Sequence, residues 1–427
     1  IILIRQKKNS AIKIFYKMNP LNKKTKVLIA TFSPWQKGKR LPINGNLEPM
    51  LDFFVPKVRK IILIDQVYPG SDFVMSRIEV YENGRKTKVT SLSWWLYFLY
   101  PFLKLTNYGG THTPFKLRDF LSVIDQGVKS HEKFDFMIGF EAINAIAGVF
   151  LRKIGKVETV IYYVSDYSPS RYRNKWFNKL YLWLDRLAAS HTDFIWDVST
   201  AMQPARIKAG LDSRKSAPVL HVPNALYPVQ IKAASLKDII PYSLVFMGTL
   251  GVENGPDLAI ESLPYILKKF PKTLLNIVGG GNSDLERLKK LVNKLNLEKK
   301  VIFHGFVSDR EEVSITIRKF MVALASYIYI SGSARLYGDA TKIRAYLGAG
   351  LPVITTDVPP LGREVEEKGA ALIVKDSKVA LAEAVIQIFS DNKLYLRLRN
   401  NAIKFAKNNT WENEFNKAFE KMSKIKN

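Results

Sequence analysis

Short apolar runs alternate with amphipathic helical patterns through the second half of the chain, and the first of these runs lead into glycine. Ser243–Met247 leads into Gly248, and Leu274–Val278 leads into the glycines at 279–281. Runs of four or five residues between helices are typical of strands that are covered on both faces, so this pattern predicts a parallel sheet. Ligands of such sheets bind at the carboxyl ends of the strands, where these glycines lie.

The first half of the chain follows the same alternation less regularly. Lys26–Ala30 and Phe134–Phe140 are predicted strands, and Asn83-Gly84 between two polar-apolar alternating segments predicts a β-hairpin. A stretch with three prolines and little periodicity, residues 222–241, separates the halves and is the predicted linker. The 427 residues suit two domains of ordinary size.

The composition narrows the classes of site. The absence of cysteine excludes disulfides, thiol nucleophiles and thiolate metal sites, and the five histidines show no metal-binding spacing. The formal net charge of +27 favours an anionic partner such as a lipid surface or a nucleic acid.

No apolar run is long enough to span a membrane. The aromatic stretch Trp94–Leu105 is either a buried element or an interfacial membrane patch. Residues 1–17 are basic and are excluded from the predicted fold as a start-site artefact or disordered leader.

Four segments of the second half carry a family resemblance. They are LVFMGTL at Leu244–Leu250, NIVGGGNSDLERL at Asn276–Leu288, VIFHGFV at Val301–Val307 and YGDATKIRAYLGAGLPVITTDVP at Tyr337–Pro359. In this order the segments resemble the donor domain of GT-B glycosyltransferases, within them the retaining family 4 (group 1). The resemblance implies an α/β fold with two Rossmann-like doubly wound parallel-sheet domains facing each other across a cleft.

The resemblance also implies the domain order. We expect a leader at 1–24, an acceptor domain at 25–222, a linker at 223–242, a nucleotide-sugar donor domain at 243–408, and a helix at 409–427 that packs back on the N-terminal domain.

The chain departs from the family at its donor site. Two glutamates that are usual in the family fall here on Tyr337 and Ala345, and its usual cations fall on Thr249 and Asn254-Gly255. A diphosphate needs cations or backbone N–H donors, so we expect a substitute at the helix that begins near Thr341, with Lys342 as its cation. The alternative for Lys342 is an exposed lysine at a helix start. The predicted donor-binding residues are Gly248, Thr249, Gly279, Gly280, Phe306, Val307, Arg335, Thr341 and Lys342.

Two carboxylates are the predicted catalytic residues. Asp339 is expected to hold sugar or ribose hydroxyls, with a helix N-cap as its alternative role, and Asp166 at a strand end is expected to orient the acceptor. Glu141 ends another strand and is a weaker candidate. Gly45 and Asn46, in the loop 35–46, are expected to bind the acceptor at the start of a helix.

The resemblance implies a glycosyltransferase, which we expect to move a hexose-type sugar from a nucleotide-diphosphate sugar to an acceptor glycan or glycolipid, such as a cell-surface polysaccharide precursor. Catalysis would be electrostatic stabilisation of the leaving diphosphate, with no cofactor and no metal. The expected location is cytoplasmic, peripheral on an anionic membrane face. The alternatives are a nucleotide-sugar epimerase of the same fold and a non-catalytic nucleotide- or nucleic-acid-binding protein. Basic stretches with regularly spaced stacking aromatics are missing, which argues against nucleic acid.

Overall fold

The computed structural model describes residues 21–40, 45–67, 71, 76–91, 95–96, 113–280, 282–307 and 310–426. Most of the predicted leader, residues 1–20, lies outside these ranges, as do Gly281 and all of Trp94–Leu105 except Trp95 and Leu96. The described chain forms two sheets of mostly parallel strands, one in each half. This mixed α/β architecture with two Rossmann-like domains confirms the predicted fold class.

The N-terminal sheet has the strand order β10-β9-β8-β7-β1-β4-β5-β6. The hairpin predicted at Asn83-Gly84 is confirmed, and its two strands add antiparallel to the edge of an otherwise parallel sheet. The strands are β1 (Lys26–Ser33), β4 (Lys60–Val67), β5 (Arg77–Glu82), β6 (Arg85–Ser91), β7 (Phe134–Phe140), β8 (Val157–Val164), β9 (Phe194–Asp197) and β10 (Val219–His221).

The helices of this domain bury one face each and expose the other. In α4, for example, Ala188 and Ala189 are buried while Trp176 and Trp183 are exposed. The helices are α1 (Leu47–Phe54), α2 (Thr113–Lys129), α3 (Glu141–Lys153), α4 (Lys175–His191) and α5 (Met202–Lys208).

The C-terminal sheet is parallel throughout, with the order β13-β12-β11-β14-β15-β16. The inner strands at 243–247, 322–325 and 353–356 are almost wholly buried because helices cover both faces. The strands are β11 (Ser243–Met247), β12 (Leu274–Val278), β13 (Val301–Gly305), β14 (Val322–Ala325), β15 (Val353–Thr356) and β16 (Ala371–Val374). The helices are α6 (Pro256–Lys269), α7 (Asn282–Lys294), α8 (Arg310–Ile317), α9 (Thr341–Gly348), α10 (Pro360–Glu367), α11 (Lys378–Ser390) and α12 (Asn392–Asn408).

The last helix, α13 (Trp411–Lys426), crosses back to the N-terminal domain. The Phe415 ring lies 5.1 Å from that of Phe53 in α1, and the Phe419 ring lies 5.5 Å from Trp196 in β9. Aromatic pairs at these distances add to the energy of burial. This packing therefore holds the last helix of the chain against the N-terminal domain.

The loop predicted at 35–46 has more structure than expected. Trp35–Gln36 (β2) and Lys39–Arg40 (β3) form a small antiparallel hairpin, because Lys37 and Gly38 both adopt positive φ angles of 49° and 70°. Two consecutive positive angles make a turn whose twist suits a two-residue hairpin. In the described ranges, no helix has both the length and the apolar character needed to cross a bilayer.

Candidate active site

A cavity of about 1000 Å³ lies between the two domains, at the carboxyl ends of both sheets. The domains also touch beside it: the Ser168 hydroxyl donates to the Gly332 carbonyl at 3.1 Å, and the rings of Tyr167 and Tyr337 are 6.4 Å apart. The structure places every predicted site residue on the wall of this cavity. Those residues are Gly45, Asn46, Asp166, Gly248, Thr249, Gly279, Gly280, Phe306, Val307, Arg335, Asp339, Thr341 and Lys342.

Lys342 lies at the start of α9 and is only 8% exposed. Its ammonium group lies over the rings of Phe246 and Tyr327, at 4.3 and 4.5 Å from the centroids. Within the described part of the chain, Nζ has no hydrogen-bond partner. The alternative of an exposed lysine at a helix start is therefore wrong. A buried cation that lacks a partner is costly and is typical of a site that binds an anion.

The environment of Lys342 changes its proton affinity. Burial, together with the smaller effect of the positive charge of Arg335, lowers the pKa of the amine from 10.5 to about 7. An anion in the cavity would have the opposite effect, because it would stabilise the protonated form. We therefore expect the amine of Lys342 to gain a proton when a diphosphate binds.

Two strand-end glycines make room for this lysine. A Cβ on Gly248 would lie 3.3 Å from Cε of Lys342, and a Cβ on Gly279 would lie 2.0 Å from the Gly248 carbonyl oxygen. The ends of β11 and β12 thus approach each other more closely than side chains allow. Gly279 is needed for packing between strands, whether or not a ligand also approaches it.

The carboxylate of Asp339 is already engaged. Arg344 donates to its two oxygens at 2.8 and 3.1 Å, and the backbone N–H of Asn224 in the linker donates at 2.8 Å. Ala340 is the N-cap of α9, so Asp339 is not the helix cap that we considered as its alternative. Its contact with sugar or ribose hydroxyls stays a prediction, and the structure assigns it at least the task of holding Arg344 and the linker.

The other cations on the cavity wall are paired with carboxylates. Arg335 lies 3.3 Å from Glu253, and Arg171 lies 2.8 Å from Asp166 and 3.6 Å from Glu141. The neighbouring Glu141 and Asp166 raise the pKa of Arg171 despite its burial. Arg171 thus orients Asp166, the predicted acceptor-side carboxylate, whose side chain is half exposed to the cavity.

Glu141 is a stronger candidate than its sequence position indicated. It opens α3 with a φ of 61°, a left-handed conformation that a non-glycine residue adopts at an energetic cost. Its side chain pairs with Arg171, and it lines the cavity. Strained residues that persist at a cavity wall are typical of functional sites. The strain has no signature in the sequence, since nothing in FEAIN departs from an ordinary helix start.

The positions at which the family usually carries glutamates have other neighbours here. Tyr337 packs against Tyr167 of the N-terminal domain, and Ala345 lies on the cavity wall in α9. His304 lies outside this wall and shares a hydrogen bond of 2.9 Å with Asn276, as expected for a satisfied histidine at a strand end. Among the described residues, no group of three or more histidines and carboxylates is placed to hold a metal ion.

Comparison with known proteins agrees with this geometry. Residues 230–405 match the family described as glycosyl transferases group 1. The chain is 30% identical over 160 residues to mannosylfructose-phosphate synthase of Agrobacterium fabrum, which covers 36% of this chain and 34% of that protein. It is 27% identical over 233 residues to D-inositol 3-phosphate glycosyltransferase of Corynebacterium urealyticum, which covers 51% and 53%. The matches thus span about a third to a half of these relatives.

Two solved structures are similar over nearly the whole chain. Anabaena Alr3699/HepE in complex with UDP superposes with a TM-score of 0.65 at 15% identity, over 94% of this chain and 100% of that one. Sucrose-phosphate synthase from Thermosynechococcus elongatus superposes with a TM-score of 0.63 at 14% identity, over 94% and 99%. At such identities the similarity shows the fold alone. Residues 230–405 therefore match the group 1 glycosyl transferase family, within a chain that has the GT-B fold.

Proposed function

We propose that this chain is a glycosyltransferase that moves a hexose-type sugar from a nucleotide-diphosphate sugar to an acceptor. The observation that carries the proposal is the buried ammonium of Lys342 at the wall of the interdomain cavity, which has no hydrogen-bond partner among the residues that the structure describes. A diphosphate at this position would contact Lys342 and the N–H groups at the start of α9, which together stabilise negative charge. The match of residues 230–405 to the group 1 family supports the same assignment.

The transfer forms a bond between the anomeric carbon of the sugar and the acceptor hydroxyl oxygen. The bond between that carbon and the diphosphate breaks, and the diphosphate oxygen keeps the electron pair. Lys342 and the α9 N-terminus stabilise the developing charge on the leaving group, without a metal. Asp166, held by Arg171, orients the acceptor hydroxyl, whose proton passes to the departing diphosphate oxygen on the same face of the sugar. The resemblance to family 4 favours retention of anomeric configuration.

The acceptor side of the cavity favours a glycan or glycolipid over an anionic acceptor. Glu141, Asp166 and Asp119 line it, and its cation Arg171 is shared between two of these carboxylates. Carboxylates bind sugar hydroxyls through hydrogen bonds and repel phosphates. With the net charge of +27, a lipid-linked acceptor at the cytoplasmic face of an anionic membrane fits this arrangement.

Donor binding can be tested by a thermal-shift screen against UDP-, GDP-, ADP- and dTDP-sugars. We expect at least one of them to raise the melting temperature of the wild type and to have no effect on Lys342→Met. Lys378→Met is the matched control, because Lys378 also begins a C-terminal-domain helix but is exposed. A wild type that responds to none of these sugars, or a Lys342→Met variant that responds as the wild type does, would refute the proposal.

The alternatives differ in their products. An epimerase would convert the nucleotide sugar to its epimer without any acceptor, whereas the proposed transferase releases the nucleotide diphosphate as the sugar is transferred. A non-catalytic protein would bind nucleotide or RNA and turn over neither. No observation on the cavity favours either alternative over transfer.

A further inference from the structure

Helix α4 exposes a stripe of large apolar side chains. Trp176 is 79% exposed and Trp183 is 51% exposed, with Leu180 between them. Their spacing of four and three residues places all three on one side of the helix, opposite the buried Asp185, Ala188 and Ala189. Exposed tryptophans in such a row are typical of a surface that binds a partner or a membrane.

The exposed charged side chains on α4 itself have one sign. Lys175 and Lys179 are exposed on α4, and the ammonium of Lys179 lies 5.0 Å from the centre of the Trp176 ring. The single acid of α4, Asp185, is buried and bonded to Tyr162 and Arg206. The apolar stripe is therefore bordered by cations that no acid of its own helix neutralises.

The end of α3 carries two further exposed apolar side chains beside the end of α4. Phe150 and Ile154 are exposed there, next to the exposed Lys153. The Arg152 guanidinium donates to the His191 carbonyl at the end of α4, so the two helix ends lie side by side. We call the surface formed by Phe150, Ile154, Trp176, Leu180 and Trp183 the α3–α4 face.

The α3–α4 face is joined directly to the acceptor side of the cavity. Asn178 of α4 donates to the Pro169 carbonyl at 2.7 Å and accepts from the backbone N–H of Tyr172 at 3.1 Å. The loop that it holds carries Arg171 and Tyr172, which line the cavity. A partner on this face would thus lie next to the cavity entrance.

We propose that the α3–α4 face docks on an anionic lipid bilayer and delivers a lipid-linked acceptor to the cavity. Tryptophan side chains favour the headgroup region, where their rings meet the acyl chains and their N–H groups meet water. Lysines beside them are attracted to anionic headgroups. The combination of apolar stripe and cations fits such a surface better than a protein partner of undefined charge. Delivery of the acceptor rests on the proposed function, but the docking itself does not.

The docking can be tested with the full-length protein and lipid vesicles. We expect it to sediment with vesicles of equal parts phosphatidylcholine and phosphatidylglycerol at low salt, to bind pure phosphatidylcholine far more weakly, and to be released by high salt. Lys175→Glu/Lys179→Glu should weaken binding at least about tenfold. The matched control Lys289→Glu/Lys290→Glu changes two exposed lysines on α7 of the other domain and should leave binding unchanged.

The contact surface can be identified by fluorescence. Brominated lipid should quench the tryptophan emission of the wild type, and most of this quenching should disappear in Trp176→Phe/Trp183→Phe, which keeps apolar rings. Trp176→Ser/Trp183→Ser should lose binding, while its melting temperature and its response to nucleotide sugars stay as in the wild type.

Three results would overturn the proposal. The first is equal vesicle binding by Lys175→Glu/Lys179→Glu and Lys289→Glu/Lys290→Glu. The second is quenching by brominated lipid that survives in Trp176→Phe/Trp183→Phe. The third is self-association of the wild type without vesicles that Trp176→Ser/Trp183→Ser abolishes. The last result would assign the face to a second copy of the chain. Because the nucleotide-sugar response is measured without vesicles, its failure would refute the proposed function and leave the docking result standing.

Discussion

A single buried amine determines much of what we expect from this protein. Lys342 has lost its hydration and has gained no hydrogen-bond partner within the described residues, only the faces of two aromatic rings. Such an arrangement costs stability in the empty protein and is offset when an anion binds. The contribution of Lys342 to stability can be measured both in the empty protein and with an anion bound.

The pH dependence of stability should carry the signature of Lys342. Its pKa is about 7 in the folded protein against an ordinary value of 10.5, so between these values the unfolded chain binds more protons. The lysine contribution to the free energy of unfolding therefore rises as pH increases from about 7 toward 10.5. Urea denaturation across this range should show a smaller rise for Lys342→Met, which should also be more stable than the wild type at neutral pH. An equal rise in both proteins would contradict the burial of a titrating amine.

Glu141 offers a second test at this scale. Glycine adopts its φ of 61° without strain, so Glu141→Gly should stabilise the fold by about 1 kcal/mol in chemical denaturation. Because the substitution removes a carboxylate from the cavity, sugar transfer should fall. Glu141→Gln, which keeps the strain and loses the charge, should lower transfer with no gain in stability. A glycine variant with full activity would show that the strain has no functional role.

At the scale of elements, the sheet edges explain why the candidate site is compact. The carboxyl ends of parallel strands meet at one edge of the sheet. At this edge the ends of β11 and β12 come close together because Gly248 and Gly279, which follow them, have no side chains. The predicted site residues follow these strand ends in the sequence and therefore meet in space.

Gly279→Ala should disrupt this edge. The added Cβ would lie 2.0 Å from a backbone oxygen of Gly248, so the strand ends must separate, at a cost of about 2 kcal/mol or more, and nucleotide-sugar binding should be lost. Gly305→Ala is the control: its φ is 78° but nothing lies near the added Cβ, so it should cost about 1 kcal/mol and keep binding. Equal binding by the two variants would argue against close packing at the site.

Sequence patterns predict regular elements and strand-end residues well, because periodicity and glycine placement are local. They predicted both sheets, the hairpin at Asn83-Gly84 and the position of Lys342. They did not predict that Asp339 accepts hydrogen bonds both from Arg344 and from the backbone N–H of Asn224, which is far away along the chain. The left-handed backbone of Glu141 was also missed, since no residue preference in this segment of the sequence indicates it.

At the scale of the whole molecule, α13 connects the end of the chain to the N-terminal core. Phe415 is fully buried among Phe53, Trp196 and Trp411. This contact lies in the core of the N-terminal domain. A substitution there should therefore lower the stability of the fold more directly than it alters binding in the cavity.

Phe415→Ala should therefore destabilise the protein by about 3–5 kcal/mol in urea denaturation, because it leaves a cavity in an aromatic cluster. Ile425→Ala on the same helix is the control, since Ile425 is exposed and should change stability by less than about 0.5 kcal/mol. A small effect of Phe415→Ala would show that α13 detaches readily from the N-terminal domain.

The central claim is that the interdomain cavity binds a nucleotide-diphosphate sugar through Lys342. The most direct measurement is calorimetric titration of the sugar identified by the thermal-shift screen, in two buffers with different ionisation enthalpies, near pH 7.5. With a pKa of about 7 in the empty cavity, a large share of Lys342 is neutral near this pH and should take up protons when the diphosphate binds. We predict this uptake in the wild type and its loss in Lys342→Met. Tight binding without proton uptake, or uptake that persists in Lys342→Met, would contradict the account.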